Sequence, residues 1–212
     1  MIGNRLSLRR SLFRFRRDEK GATLVEFALV VLFFLFLLFA IIDFGRLAFT
    51  WTSAQKATQL AARIAAVREP VCAGVPALNA RGAGGASFRF GSLCRAGANV
   101  CVNPGTFTCV GVATNPTATE IFTQVRPLLP VGATVANMRF TYRYDANLGF
   151  LGGPYVPMVT VDLEGLQFEF VSNLGSLIGP VIGETSTLGA AIDLPRMSVT
   201  TPGEDLALGT AG

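Results

Sequence analysis

The chain has 212 residues, a mean hydropathy of +0.47 and a formal net charge of +4. It contains no histidine, which excludes catalytic sites of the Ser-His-Asp and Cys-His kinds. Residues 1–20 carry seven of the 18 basic residues and two of the 14 acidic ones, whereas eleven of each follow Ile42. The basic excess therefore belongs to the N-terminal segment. Because no basic patch with interleaved aromatic residues follows it, we do not expect nucleic-acid binding.

An apolar run from Ala22 to Ile42 dominates the N-terminal part of the chain, with Glu26 as its single charge. As a helix, this run is long enough to span a bilayer core of about 30 Å. It is longer than the core of a typical signal peptide, and no Ala-x-Ala cleavage site follows it. We therefore interpret residues 22–42 as a transmembrane helix and residues 1–21 as a basic cytoplasmic leader. The positive-inside rule then predicts that everything after Ile42 is exported.

The helical pattern continues past the membrane, over residues 43–68. It contains no proline before Pro70, so we expect one continuous helix from Ala22 to about Val67. A stripe at helical spacing predicts the face that packs on a globular head. It consists of Leu47, Thr50, Ala54, Ala57, Ala61 and Ile64.

All four cysteines lie in residues 69–116, a segment rich in Gly, Ala and Pro. An even number of cysteines on the exported side predicts disulfides. A turn near Pro104 would make residues 100–110 a hairpin and set Cys101 opposite Cys109. The tentative pairing is therefore Cys101–Cys109 with Cys72–Cys94. The other two connectivities stay open, because spacing does not choose among them.

Residues 117–200 predict a small α+β head, followed by a flexible tail over residues 201–212. Residues 115–129 have the pattern of a short capped helix. Alternating patterns predict an antiparallel sheet. The strands are expected within residues 134–144, 157–163, 166–171 and 190–200, the last disturbed by Pro195. The predicted fold class is thus α+β, with a long N-terminal transmembrane helix and a disulfide-stapled exported head.

The sequence contains no pattern of residues typical of an enzyme active site, and we expect no enzyme activity. Asp162, Glu164 and Glu169 are carboxylates on the exported side, but alternation predicts that they face solvent. There is no phosphate-binding loop and no dinucleotide fingerprint. The cysteine spacings are not those of a zinc site. We therefore expect no metal and no cofactor.

Glu26 is the most informative single residue. A carboxylate in the hydrocarbon region costs about 3 kcal/mol at the centre of a helix and less near its end. Glu26 could reach the headgroups or pair with Lys20. Alternatively, cleavage after Gly21 would turn Ala22 into a new α-ammonium group one helical turn away. Glu26 could then meet the amine of a neighbouring helix and set the register between packed helices.

The order Lys20, Gly21, four residues, Glu26, Phe27 and an apolar run resembles the processing site of type IVb prepilins and pseudopilins. It is most similar to the TadE/TadG-like family of the tight-adherence (Tad/Flp) pilus machinery. That family usually has tyrosine where this chain has Phe27. The resemblance implies cleavage between Gly21 and Ala22 by a prepilin peptidase, with Glu26 and Phe27 acting in assembly.

The resemblance also implies a role and a location. The role is that of a minor pilin or pseudopilin in Tad/Flp pilus assembly and adhesion. Its partners would be other Tad pilins, the inner-membrane assembly platform and the lipid bilayer. The implied location is the bacterial inner membrane, with a cytoplasmic N-terminus and a periplasmic head. The alternative is an uncut, membrane-anchored adhesin whose exported head binds a ligand.

Overall fold

The computed structural model describes residues 21–171, 191–204 and 206. It confirms the α+β fold class, with one long N-terminal helix, an antiparallel sheet and two disulfides. The helices and strands are α1 (Ala22–Val67), β1 (Thr106–Val110), α2 (Pro116–Val125), β2 (Met138–Arg143), β3 (Met158–Leu163), β4 (Gln167–Phe168), β5 (Ile192–Asp193) and β6 (Met197–Pro202).

The chain divides into two units, residues 1–46 and residues 47–212. In the described part of the first unit, the large apolar side chains of α1 are exposed, as Leu24 (71%) and Phe27 (69%) illustrate. Among the described residues, α1 is the one helix that is long and apolar enough to cross a membrane. It is compatible with a single-pass membrane anchor.

In the second unit, the predicted stripe of α1 is part of the core. Ala54, Ala57 and Ala61 are fully buried, and Leu47 and Ile64 are packed against the same cluster. That cluster also contains the inward-facing side chains of the sheet. Because alanine carries only a methyl group, this face lets the helix backbone lie close to the layer that covers it. The stripe prediction is confirmed.

Four strands form the main sheet, in the order β1-β2-β3-β6, with every neighbouring pair antiparallel. One face is apolar and buried: Met138, Phe140, Tyr142, Val159, Val161 and Leu163. The other face carries a row of threonines in register: Thr108, Thr141, Thr160 and Thr200. This is the two-sided alternation expected of a sheet with one face on a core.

The predicted strands exist, but several are shorter than expected. The C-terminal one is divided into β5 and β6, with Pro195 between them, because proline has no N–H to donate to a ladder. Helix α2 begins at Pro116, and the side chain of Asn115 caps it by accepting the N–H of Ala118 at 2.8 Å. It ends at Val125, just before a 3-10 turn that contains Pro127, since proline has no N–H to continue the helical hydrogen bonds.

The disulfides are Cys72–Cys109 and Cys94–Cys101, with Cα–Cα distances of 5.5 and 5.1 Å. The tentative pairing, Cys72–Cys94 with Cys101–Cys109, is therefore wrong. The first disulfide links the segment that follows α1 to β1, and the second closes a short loop.

The pairing was mispredicted because residues 100–110 do not form a hairpin. Only Thr106–Val110 is a strand, and its partner is β2, so that Cys109 lies opposite Phe140. Cys101 instead forms an isolated bridge with Arg81. The local turn signal was real, since the Asn103 side chain accepts the N–H of Gly105 at 2.9 Å. The turn, however, leads to a strand that pairs elsewhere.

The two disulfides should differ in their effect on stability. Their cysteines are 37 and 7 residues apart. Loop-closure entropy therefore predicts a loss of about 4 kcal/mol for Cys72→Ala with Cys109→Ala, and about 2.5 kcal/mol for Cys94→Ala with Cys101→Ala. Urea unfolding of the full chain in detergent measures both values. Non-reducing peptide mapping should find only the two observed pairs, and a Cys72–Cys94 peptide would contradict the structure.

Tyr142 should stabilise the head through its hydroxyl. It is fully buried, and its oxygen accepts the N–H of Val71 at 3.1 Å. Tyr142→Phe would leave that buried N–H without its partner, so we expect a loss of about 1–2 kcal/mol at neutral pH. The control is Tyr144→Phe, at a half-buried tyrosine that stacks on Tyr155. A smaller loss for Tyr142→Phe than for this control would contradict the role of the hydroxyl.

The same variant should change the response to alkali. Burial raises the pKa of Tyr142 from 10.0 to about 12. Above pH 10 the unfolded wild-type chain releases this proton while the folded chain keeps it, so stability falls as the pH rises towards 12. Tyr142→Phe lacks that contribution, and the stability difference between wild type and variant should therefore narrow over this window.

Candidate functional site

The predicted cleavage position lies at the start of α1. The helix begins at Ala22, and the carbonyl of Gly21 accepts the N–H of Val25 at 3.2 Å. Gly21 is therefore the residue that precedes the first helical turn. Both Gly21 and Ala22 are exposed, so their peptide bond lies at an accessible junction of the described chain.

Glu26 lies four residues after Ala22 on the same helix. That spacing places the two residues on one face, about 6 Å apart along the axis. The Glu26 side chain is exposed, and within residues 21–171 no ion pair involves it. Ala22, the predicted position of the amine, and the carboxylate of Glu26 therefore lie one helical turn apart in the structure.

Phe27 continues an apolar surface that no other described residue of the first unit covers. Its side chain is 69% exposed, and Leu24 and Val30 are more than half exposed as well. Such a surface needs lipid or the apolar faces of other helices around it. The site therefore consists of one carboxylate on an uncovered apolar helix, directly after an accessible Gly-Ala bond.

Comparison with known families tests this segment. The family model described as TadE-like protein matches residues 21–63. The match begins at Gly21, includes Glu26 and Phe27, and extends through Ala61 in the buried stripe. It confirms over this segment the resemblance predicted from the sequence, and it suggests a pilus-related protein. No curated protein and no solved structure matches the chain.

The TadE-like segment covers α1 up to Arg63, and the rest of the head lies outside it. The disulfides, the sheet and α2 therefore have to be interpreted from their own chemistry. Within the described chain, no group of three or more His, Cys, Asp or Glu side chains is placed to hold a metal ion.

The carboxylates Asp162, Glu164 and Glu169 are the remaining candidates, and the prediction that all three face solvent is wrong for one of them. Glu169 is exposed and Glu164 is half-buried, but Asp162 on β3 is only 1% exposed. Alternation correctly assigned Asp162 to the face opposite the core. It did not foresee that Asp162 would be buried on that face, where its carboxylate contacts an arginine, Arg196.

Asp162 belongs to a chain of alternating charges. Arg196 donates to Asp162 Oδ2 at 2.7 Å and its Nε lies 3.0 Å from Glu164 Oε1, while Arg139 donates to Glu164 Oε2 at 3.0 Å. The hydrogen bond with Asp162 raises the pKa of Arg196. Two acids and two bases neutralise one another here. The network links β2, β3 and the residues just before β6, which is a structural arrangement.

Proposed function

We propose that the protein is a TadE-like minor pilin or pseudopilin that takes part in assembling a Tad/Flp (type IVb) pilus. The observation that carries the proposal is the family match that begins at Gly21 and includes Glu26. The bare apolar helix supports it, because a surface of that kind is suited to a bilayer before assembly and to other helices afterwards.

In this proposal, a prepilin peptidase cuts the bond between Gly21 and Ala22. The cut releases the basic leader and leaves a positive α-ammonium group on Ala22. Glycine is suited to this position because it has no side chain to obstruct the enzyme. The accessible junction before the first turn of α1 supports the step.

The new amine gives Glu26 a partner. A lone carboxylate on this surface is costly in lipid, and so is a lone ammonium group. When two copies or two related pilins pack side by side at the same depth, the amine of one can meet the carboxylate of the other. Each charge then neutralises its counterpart, and the pair sets the axial register of the helices. Phe27 lies beside this pair on the packing surface.

The proposed location is the bacterial inner membrane. The arginine-rich leader would stay in the cytoplasm by the positive-inside rule, which places the head outside it. The two disulfides support this orientation, because disulfides persist in oxidising compartments. The proposed partners are the prepilin peptidase, other Tad pilins and the assembly platform.

Cleavage should depend on Gly21. When the full chain is expressed with a prepilin peptidase, the intact mass of the membrane-extracted protein should correspond to a start at Ala22. Gly21→Leu should block the cut through steric obstruction, and Gly21→Ala should slow it. Gly45→Ala, a glycine of α1 far from the junction, is the matched control and should be cut normally. An intact Met1 terminus in the presence of the peptidase would favour the uncut membrane-anchored adhesin.

Glu26 should matter for assembly and not for insertion. Glu26→Gln removes the charge with little change in size, so the variant should enter the membrane and be cut like the wild type. Its amount in sheared pili, relative to the membrane fraction, should fall by roughly tenfold, as expected for the loss of about 1.4 kcal/mol or more of pairing energy. Glu26→Asp keeps the charge and should be less affected. Normal recovery of Glu26→Gln in pili would show that Glu26 merely reaches the headgroups.

A further inference from the structure

The head has a surface that the proposed function does not use, on a lobe formed by residues 76–105 and 144–157. We call it the aromatic–basic surface. Its exposed apolar members are Phe90 (72% exposed), Leu93 (47%) and Phe150 (42%). The exposed arginines Arg89 and Arg95 flank Phe90 and Leu93 in sequence. Exposed aromatic and basic side chains together are typical of interaction surfaces.

The surface is held in place by the fold beneath it. Leu93 and Phe150 lie on paired backbone segments. The ring of Phe90 packs at Gly152, where a Cβ would come within 2.5 Å of it, and the Arg81 guanidinium lies 4.6 Å from the ring centroid. Arg81 is itself anchored, since it donates to the carbonyls of Gly85 and Phe88. A docking partner would therefore meet preformed side-chain positions.

The basic and acidic residues that follow Ile42 are equal in number, so the positive charge of this lobe does not appear in their total. Residues 70–119 contain three arginines, Arg81, Arg89 and Arg95, and no acidic residue. The single acid of the lobe, Asp145, accepts the backbone N–H and the side-chain amide of Asn147. The aromatic–basic surface thus favours a negatively charged partner.

The chain carries a negatively charged surface at the two-stranded ribbon of β4 and β5. We call it the acidic ribbon. Its acidic members are Asp193 on β5 and Glu169 directly after β4, and both are exposed. Asp193 is paired with Gln167, whose amide donates to its carboxylate at 3.0 Å.

The two surfaces lie at opposite ends of the main sheet. The lobe connects to the end where Arg143 is paired with Met158, and it also leads into β1 at Thr106. The ribbon leaves the other end, after Leu163, and the chain returns there at Met197. Strand β3 runs between them and has six residues, a length of about 20 Å. Complementary surfaces at opposite ends cannot meet within one head, but they can meet between two.

We propose that heads associate head to tail, with the acidic ribbon of one copy on the aromatic–basic surface of a second copy. A contact between two like surfaces is disfavoured, because it would oppose arginine to arginine. A contact between unlike surfaces is heterologous and leaves one free surface at each end of the pair, so further copies can add. The contact lies in the head and requires neither cleavage after Gly21 nor Glu26.

Charge reversal tests this contact in the full chain. The basic-end variant carries Arg89→Glu with Arg95→Glu, and the acidic-end variant carries Glu169→Lys with Asp193→Lys. Sedimentation velocity in detergent, on a Glu26→Gln background, measures head-dependent association. Each variant alone should associate roughly tenfold more weakly than the parent, because like charges then face each other. An equimolar mixture of the two should recover association. The unchanged acidic ribbon of the basic-end variant can then contact the unchanged aromatic–basic surface of the acidic-end variant.

The matched control is Lys56→Glu with Arg63→Glu. It makes the same change in net charge as the basic-end variant, at exposed positions of α1 outside both surfaces, and should associate like the parent. Association of the parent should also weaken between about 0.05 M and about 0.5 M salt, as screening increases. Peptide mapping for both disulfides checks that each variant is folded.

Two results would overturn the inference. One is that neither charge reversal weakens the association seen in the parent chain. The aromatic–basic surface would then bind a different partner, such as an anionic lipid surface. The other is a mixture that associates no better than its separate components. Either result leaves the proposed function untouched, because that proposal depends on Gly21 and Glu26. Conversely, uncut protein with recovered association in the mixture would refute the proposed processing and support the contact between heads.

Discussion

The apolar surface of α1 has to be kept from water along its whole length, and the chain meets this requirement in two ways. Up to Arg46 the surface consists of large side chains that remain exposed in the isolated chain. From Leu47 onward it narrows to a stripe of alanines that the head itself buries. Large side chains are suited to lipid or to neighbouring helices, and small ones permit close packing against a sheet. One continuous helix therefore serves two different environments through a change in residue size.

The importance of Glu26 depends on the apolar surface around it. A carboxylate on a soluble helix would be unremarkable, whereas on an uncovered apolar surface it needs a partner. The partner we propose is created by chemistry one helical turn away, at Ala22. The TadE-like match covers both residues and the alanine stripe, so the family resemblance extends over the part of α1 that would be inserted and the part that carries the head. The head beyond Arg63 lies outside that match, and the partner that we propose for its charged ends is a second head.

Local patterns predicted the elements well, and long-range pairing poorly. Helices α1 and α2, the buried stripe of α1 and strands β2 and β3 follow from periodicity and from residues close in sequence. The disulfide connectivity did not follow, because β1 pairs with β2, some 30 residues away, and thereby carries Cys109 to Cys72. The burial of Asp162 was missed for the same reason, since the arginine that reaches it, Arg196, belongs to a distant segment.

The amino-acid sequence by itself determined the long helix, the position of Glu26 as the single charge in its apolar run and the Gly-Ala junction before it, because each depends on neighbours within one or two helical turns. It also determined that the fold would be α+β, through the change from helical to alternating periodicity. The tertiary structure alone decided which cysteines pair, which carboxylate is buried, and that the arginine-rich lobe and the acidic ribbon lie at opposite ends of the sheet. Those outcomes depend on strand order and register, which bring together residues that are far apart in the chain and leave no local trace in its sequence.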